Sequence, residues 1–126
     1  MAEIELTSER SGCPIASTLD LVGDKWSLVI VRDMVTGKKR FGEFMASPEG
    51  IKSNILTSRL RRMEETGLVE RRAYQANPQR FEYLLTERGA ALLPVLQEMC
   101  RWANKHIDDT WIPPDSFMAP LDFTGE

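Results

Sequence analysis

The stretch from Ile51 to Leu85, IKSNILTSRLRRMEETGLVERRAYQANPQRFEYLL, couples an amphipathic helix directly to a two-stranded ribbon, and this constrains the rest of the chain. Between Asn54 and Thr66, Ile55, Leu56, Leu60 and Met63 recur at helical spacing and mark one buried face. Opposite them lie Asn54, Thr57, Ser58 and Arg61, which can hydrogen-bond but offer little apolar surface. Such a face suits a helix that meets polar edges rather than a core. Gly67 stands where a left-handed cap ends a helix, and Leu68 and Val69 return the chain to apolar packing. Two arms follow, Val69–Gln75 and Arg80–Leu85, around a turn of Ala76, Asn77, Pro78 and Gln79. Phe81, Tyr83 and Leu85 can cover a core from one side of the second arm, while Arg71, Arg72 and Arg80 make the ribbon basic. A polar-faced helix with a basic hairpin behind it is the outline of a winged helix-turn-helix that grips DNA.

The rest of the chain supplies the frame. Residues 1–12 are polar and aperiodic, and read as a flexible arm. Cys13-Pro14 opens a short helix with Cys13 at the N-cap, because proline is favoured in the first helical turn; Ile15, Leu19 and Val22 give it an apolar face before Gly23. Asp24 can cap a second helix, Lys25–Val35, which is apolar around most of its circumference and belongs in the middle of a small domain. Beyond Gly37 and the basic connection Lys38, Lys39 and Arg40, the spacing of Phe41, Phe44 and Met45 predicts a short helix ended by Ser47-Pro48-Glu49-Gly50, the first of the helix-turn-helix pair.

After the hairpin, Thr86 or Glu87 begins a last helix to about Asp109, with Pro94 marking either a kink or a later true start. It carries two apolar stripes, Leu92, Leu96, Met99, Ala103 and His106 beside Leu93, Cys100 and Ile107, with Trp102 flanking. That is more apolar width than docking on a small domain needs, so a subunit partner is expected. The tail, residues 111–126, holds three prolines and six large apolar side chains, and is expected to lie extended across its own or a partner's surface.

With 126 residues, 42% hydrophobic and 28% charged, the chain fits one soluble domain, residues 13–110, between the arm and the tail. No apolar run approaches the roughly 18 residues of a membrane span, and the acidic start lacks a signal-peptide core, so a cytoplasmic protein is expected. A net charge of −3 argues against nucleic acid only until its distribution is counted. Lys38 to Arg80 holds ten bases and five acids, net +5, and the remainder six bases and fourteen acids, net −8. A basic centre between acidic ends is compatible with one phosphate-facing surface. Cys13, Cys100 and His106 form no metal-ligand spacing, and no catalytic triad or glycine-rich phosphate loop is present, so neither an enzyme nor a cofactor is expected.

Three segments, CPIASTLDLVGDKWSLVIVRDM, RFGEFMASPEGIKSNILTSRLRRMEETGLVERRAY and NPQRFEYLLTERGAALLPVLQEMCRW, resemble in order and spacing the HxlR-type winged helix-turn-helix transcriptional regulators, relatives of the MarR family. The likeness is carried by Lys25-Trp26, Arg40-Phe41, Leu56-Thr57-x-Arg59-Leu60, Gly67-Leu68-Val69 and Tyr83-x-Leu85-Thr86-x-x-Gly89. It implies a mainly α fold with a small β-hairpin and N- and C-terminal dimerisation helices, and a homodimer that presents two recognition helices to successive major grooves of double-stranded DNA. Relatives usually place Ser and Pro where this chain has Lys52 and Ser53, which makes those two candidates for a phosphate at the helix N-terminus.

The expected DNA contacts are therefore Lys52, Ser53, Asn54, Thr57, Ser58, Arg61 and Arg62 on a recognition helix at about residues 53–66, and Asn77, Gln79 and Arg80 on a wing at 69–85. Asn can pair with adenine, Arg with guanine, and Thr can touch a thymine methyl; Arg80 at the wing tip enters the minor groove or grips phosphate. Arg62 is borderline, and Arg59 sits nearer the buried side, where an internal ion pair is at least as good a reading. Cys13, at the positive end of a helix, is either a sensor of oxidants or electrophiles, as a cysteine in this place is in some HxlR-type regulators, or a space-filling residue. Cys100 is expected in packing, or as a partner for Cys13 across a dimer. A small-molecule or electrophile effector would act at the dimer interface. The rival class is a winged-helix module that contacts proteins without binding DNA.

Overall fold

The computed structural model describes residues 11–120. Helices α1 (Pro14–Val22), α2 (Ser27–Val35), α3 (Phe41–Met45) and α4 (Ser53–Glu65) precede the hairpin β1 (Val69–Gln75) and β2 (Arg80–Leu85), and α5 (Glu87–Ala90), α6 (Leu93–His106) and α7 (Asp115–Met118) follow it. This is the mainly helical fold with a two-stranded wing that the periodicity predicts. Most of the expected arm, residues 1–10, lies outside the described residues, as do Leu121 and Phe123 of the tail.

As expected, α2 runs through the centre, with Ile30 and Val31 buried among Phe44, Leu56, Leu60 and Met63. It begins at Ser27 rather than Lys25, yet Asp24 still caps it: the carboxylate accepts from the N–H groups of Trp26 and Ser27, both at 3.0 Å, and from the Ser27 hydroxyl at 2.5 Å. The helix also carries a buried carboxylate, Asp33, which accepts from the Ser47 hydroxyl. Lys38 Nζ donates to the same hydroxyl at 2.8 Å, and Arg32 spans Asp33 and Glu49. These bonds fasten α2 to the turn between α3 and α4, which satisfies a charge that could not otherwise be buried. The Arg32 bond draws the Glu49 carboxyl below its ordinary value against the opposing effect of partial burial.

Gly67 ends α4 as its position predicts. At φ 81° it lets Leu68 N–H reach the Met63 carbonyl at 2.8 Å and its own N–H reach Glu64 at 3.1 Å, the paired bonds of a Schellman cap. The wing pairs Val69 with Leu85 through Ala73 with Phe81, then shifts register at a bulge before Gln75 meets Arg80. At its base Thr86 donates to the Gly67 carbonyl at 2.6 Å and accepts from Gly89 N–H at 3.1 Å, so one hydroxyl joins the end of α4 to the start of α5.

The long last helix is in fact two. The alternative of a later true start at Pro94 holds: the single turn of α5 ends at Ala90, and α6 starts at Leu93 with Pro94 in its first turn, where a missing N–H costs nothing. α6 stops at His106, short of Asp109, which takes a positive φ of 67°. Nor is the tail extended throughout. It makes one helical turn, α7, and folds back on its own chain, burying Phe117 while Gln97 donates to the carbonyls of Phe117 at 3.1 Å and Ala119 at 2.9 Å. The apolar surplus of α6 is real, for Val95, Met99, Trp102 and Ile107 stay exposed, as do Ile15 and Leu19 on α1.

Candidate nucleic-acid interface

The burial of α4 is one-sided. Leu56, Leu60 and Met63 are at most 1% exposed, while Lys52, Ser53, Asn54, Thr57, Ser58, Arg61 and Arg62 all face outward. Lys52 takes the N-cap position without a side-chain cap bond, leaving the first-turn N–H groups open. Thr57 returns its hydroxyl hydrogen to the Ser53 carbonyl at 2.9 Å. Among the described residues the Arg61, Lys52 and Arg80 side chains make no hydrogen bond or ion pair, so each cation is available without breaking anything.

Arg59 and Arg62 separate. Arg59 donates from Nε to Asp24 at 2.9 Å, the internal ion pair, and Arg62 reaches the Asp20 carbonyl of α1 at 3.4 Å. Asp24 thus joins α2 to α4. Partial burial pushes its carboxyl up, but the bonds from Ser27, Trp26 and Arg59 outweigh it, so its pKa falls below the ordinary 3.8. A depressed folded-state pKa means that this stabilisation is full above 3.8 and fades as pH falls through the lower folded value. Asp24→Ala, which removes cap and ion pair, is expected to cost about 1–2 kcal/mol at neutral pH. Urea denaturation of both proteins should show the gap narrowing in acid, and a gap independent of pH would contradict the assignment.

At the wing tip Asn77, Gln79 and Arg80 are exposed, and Gln75 donates to the Pro78 carbonyl at 3.0 Å across the turn. The other wing bases are engaged: Arg72 pairs with Glu70 at 2.7 Å, and Arg71 lies over the Phe81 ring at 4.2 Å with Glu64 at 3.9 Å. Two bases outside the sequence-derived set join this surface. Lys39 and Arg40 are drawn to the Glu82 carboxylate at 3.6 and 3.2 Å, Arg40 covers the Tyr74 ring at 3.8 Å, and the Lys39 carbonyl accepts from Tyr83 N–H at 2.7 Å. The basic run at residues 38–40 was the only signal for them. Its docking on a strand 42 residues away was not legible locally.

Cys13 is exposed at the N-cap of α1, and Cys100 is half-buried against the core. No three potential ligands cluster around a metal position among the described residues, and no helix there is long and apolar enough to cross a membrane.

Two helices joined by the short connection of residues 46–52, the second presenting an exposed polar face beside a two-stranded wing, define a winged helix-turn-helix of the kind that binds DNA. The profile of the HxlR-like helix-turn-helix family matches residues 21–110, and the chain belongs to that family of transcriptional regulators. It is 40% identical over 102 residues to the HTH-type transcriptional regulator YdeP of Bacillus subtilis (strain 168), covering 81% of this chain and 80% of that one. Among solved structures it is similar to the redox regulator HypR in its reduced form, with a TM-score of 0.70, 38% identity, and coverage of 76% of this chain and 95% of that one. The reduced form of the transcriptional regulator YodB from B. subtilis is similar at a TM-score of 0.65 and 34% identity, over 79% of this chain and 98% of that one.

Proposed function

We propose that the protein is a sequence-specific regulator that binds an inverted-repeat operator as a homodimer. Asn54, Thr57, Ser58 and Arg61 enter the major groove; Lys52 and Ser53 hold a phosphate at the start of α4, Arg62 lies at the edge of the contact, and Asn77, Gln79 and Arg80 meet the flanking backbone or minor groove. The observation that carries this reading is Arg61, an unpaired cation in the middle of an exposed polar helix face whose other side is buried through Leu56, Leu60 and Met63. The dimer is supported by the large apolar side chains left in water on α1 and α6, Ile15, Leu19, Met99 and Trp102 among them. Selection of bound fragments from a genomic DNA pool, followed by footprinting, tests it. Two protected half-sites about one helical turn apart, roughly 34–36 Å, are expected. Binding to a protein partner with no DNA retained at low salt would favour the rival module instead.

A second reading, response to oxidants or electrophiles, is favoured by the exposure of Cys13 and by the likeness to HypR, named a redox regulator. Treatment with diamide is expected to change operator affinity in the wild type and not in Cys13→Ser. An equal response in the two proteins removes Cys13 from the mechanism.

A further inference from the structure

Lys39 and Arg40, just before α3, are fixed along their backbone and free only in their side chains. The Lys39 carbonyl accepts from Tyr83 N–H at 2.7 Å, Arg40 forms an isolated bridge with Glu82, and the N–H groups of both residues donate to Glu43 at 2.8 and 2.9 Å. Arg40 Nε and Nη2 both donate to one Glu82 oxygen, at 3.3 and 3.2 Å, while the guanidinium covers the Tyr74 ring at 3.8 Å. Lys39 Nζ stands 3.6 Å from the same oxygen. One carboxylate on β2 therefore holds two cations, and Arg40 Nη1 has no acceptor among the described residues.

The arrangement is layered. The Glu82 side chain is 14% exposed, against 48% for Lys39 and 47% for Arg40, so an anion arriving from solvent meets the cations before it meets the carboxylate. Donors left over on the two cations can take a phosphate without releasing Glu82. Following a phosphate away from the wing is a different matter, because Glu82 would then keep its partial burial and lose its partners. The pair thus serves a phosphate that comes to the edge of β2, and no other. Arg61 and Arg80, with no carboxylate partner among the described residues, are under no such restraint.

We propose that Glu82 is a specificity-determining residue, a tether that lets Lys39 and Arg40 bind a DNA backbone phosphate only when the duplex is seated against α4 and the wing together. The proposal rests on the regulator reading above. On an operator, α4 sits in the major groove and brings the flanking backbone onto the wing, where the tethered pair gains a phosphate and keeps Glu82. On any other sequence α4 is not seated, the backbone stays short of the wing, and the pair remains neutralised. Specificity is a difference of affinities, and Glu82 widens it by withholding two positive charges from the wrong duplex.

Fluorescence anisotropy with an operator duplex and a scrambled duplex of equal length tests the tether in Glu82→Gln, which keeps the side-chain shape and removes the charge. Affinity for the scrambled duplex should rise about fivefold and affinity for the operator by no more than about twofold, so the ratio between them falls. On the scrambled duplex the slope of log affinity against log salt should steepen by about 0.9 for each cation released. With Lys39→Ala and Arg40→Ala already in place, Glu82→Gln should change neither affinity. Arg40→Lys keeps the charge but gives up the paired bonds to Glu82 and the stacking on Tyr74, and should lower the ratio in the same direction, so the outcome does not hang on one variant. An equal rise on both duplexes, or a rise that persists in the alanine background, would mean a general effect of lost negative charge. A ratio unaltered in both Glu82→Gln and Arg40→Lys would mean that the contact only braces the wing. Either result overturns the proposal. A wild type that prefers no duplex at any salt concentration would overturn the regulator reading instead.

Discussion

Replacing Arg61 and Arg80 together with alanine is expected to lower operator affinity by about a hundredfold or more, with no loss of folding stability. Removing an arginine that reads a base edge costs about 1–3 kcal/mol and relaxes sequence preference at that position; removing one that grips phosphate weakens binding to all sequences alike. Arg61 is placed for the first role, in the middle of the exposed face of α4, and Arg80 for the second, at the tip of the wing. Neither side chain has a partner among the described residues, so truncation breaks no internal bond and leaves no orphaned carboxylate. That separates them from Arg59, whose removal would strand Asp24 and confuse binding with stability. Fluorescence anisotropy with an operator duplex over a range of salt concentrations gives both readouts. The slope of log affinity against log salt should fall by about 0.9 for each phosphate that the variant no longer neutralises. If affinity, specificity and slope all survive the double substitution, the interface lies elsewhere on the molecule.

Gly89→Ala is expected to destabilise the fold by about 3 kcal/mol, the upper end of what overpacking usually costs. A Cβ built at this position would stand 2.0 Å from the Leu68 carbonyl oxygen and 3.0 Å from Leu85 Cδ2. The first neighbour is backbone, and it is held in place, because Leu68 also closes the cap of α4 and its carbonyl accepts from Thr86 N–H at 3.1 Å. Relief therefore requires α5 to move away from the wing, which strains the Thr86 hydroxyl between Gly67 and Gly89. Urea unfolding should show a lower midpoint with an unchanged slope. A variant within about half a kilocalorie of the wild type would mean that α5 floats on the wing rather than being clamped to it.

Much of the exposed face of α4 was legible because an amphipathic helix announces itself locally. Ile55, Leu56, Leu60 and Met63 repeat with the period of one helix, so their burial and the exposure of Asn54, Thr57, Ser58 and Arg61 follow from the same wheel. The Gly67 cap and the hairpin after it likewise depend on residues within a few positions of each other. Arg59 fell near the buried side of that wheel, and its pairing with Asp24 is what the position demands. Lys39 and Arg40 were visible only as basic residues in a connection. What holds them on the wing is Glu82, and no periodicity links residue 82 to residue 40.

The sequence by itself determined the element order as far as the hairpin, the polar face of α4 and the family, because each is written in spacings of a few residues and in turn chemistry. Only the tertiary structure decided where α6 begins, how the tail docks through Phe117 and Gln97, and that Asp33 is a buried anchor inside an apolar helix. It also decided which arginines are free and which are spent. The physical reason is range: helix and turn preferences act over three or four residues, whereas a charge is buried or paired by whatever side chain the fold brings beside it, at any separation along the chain.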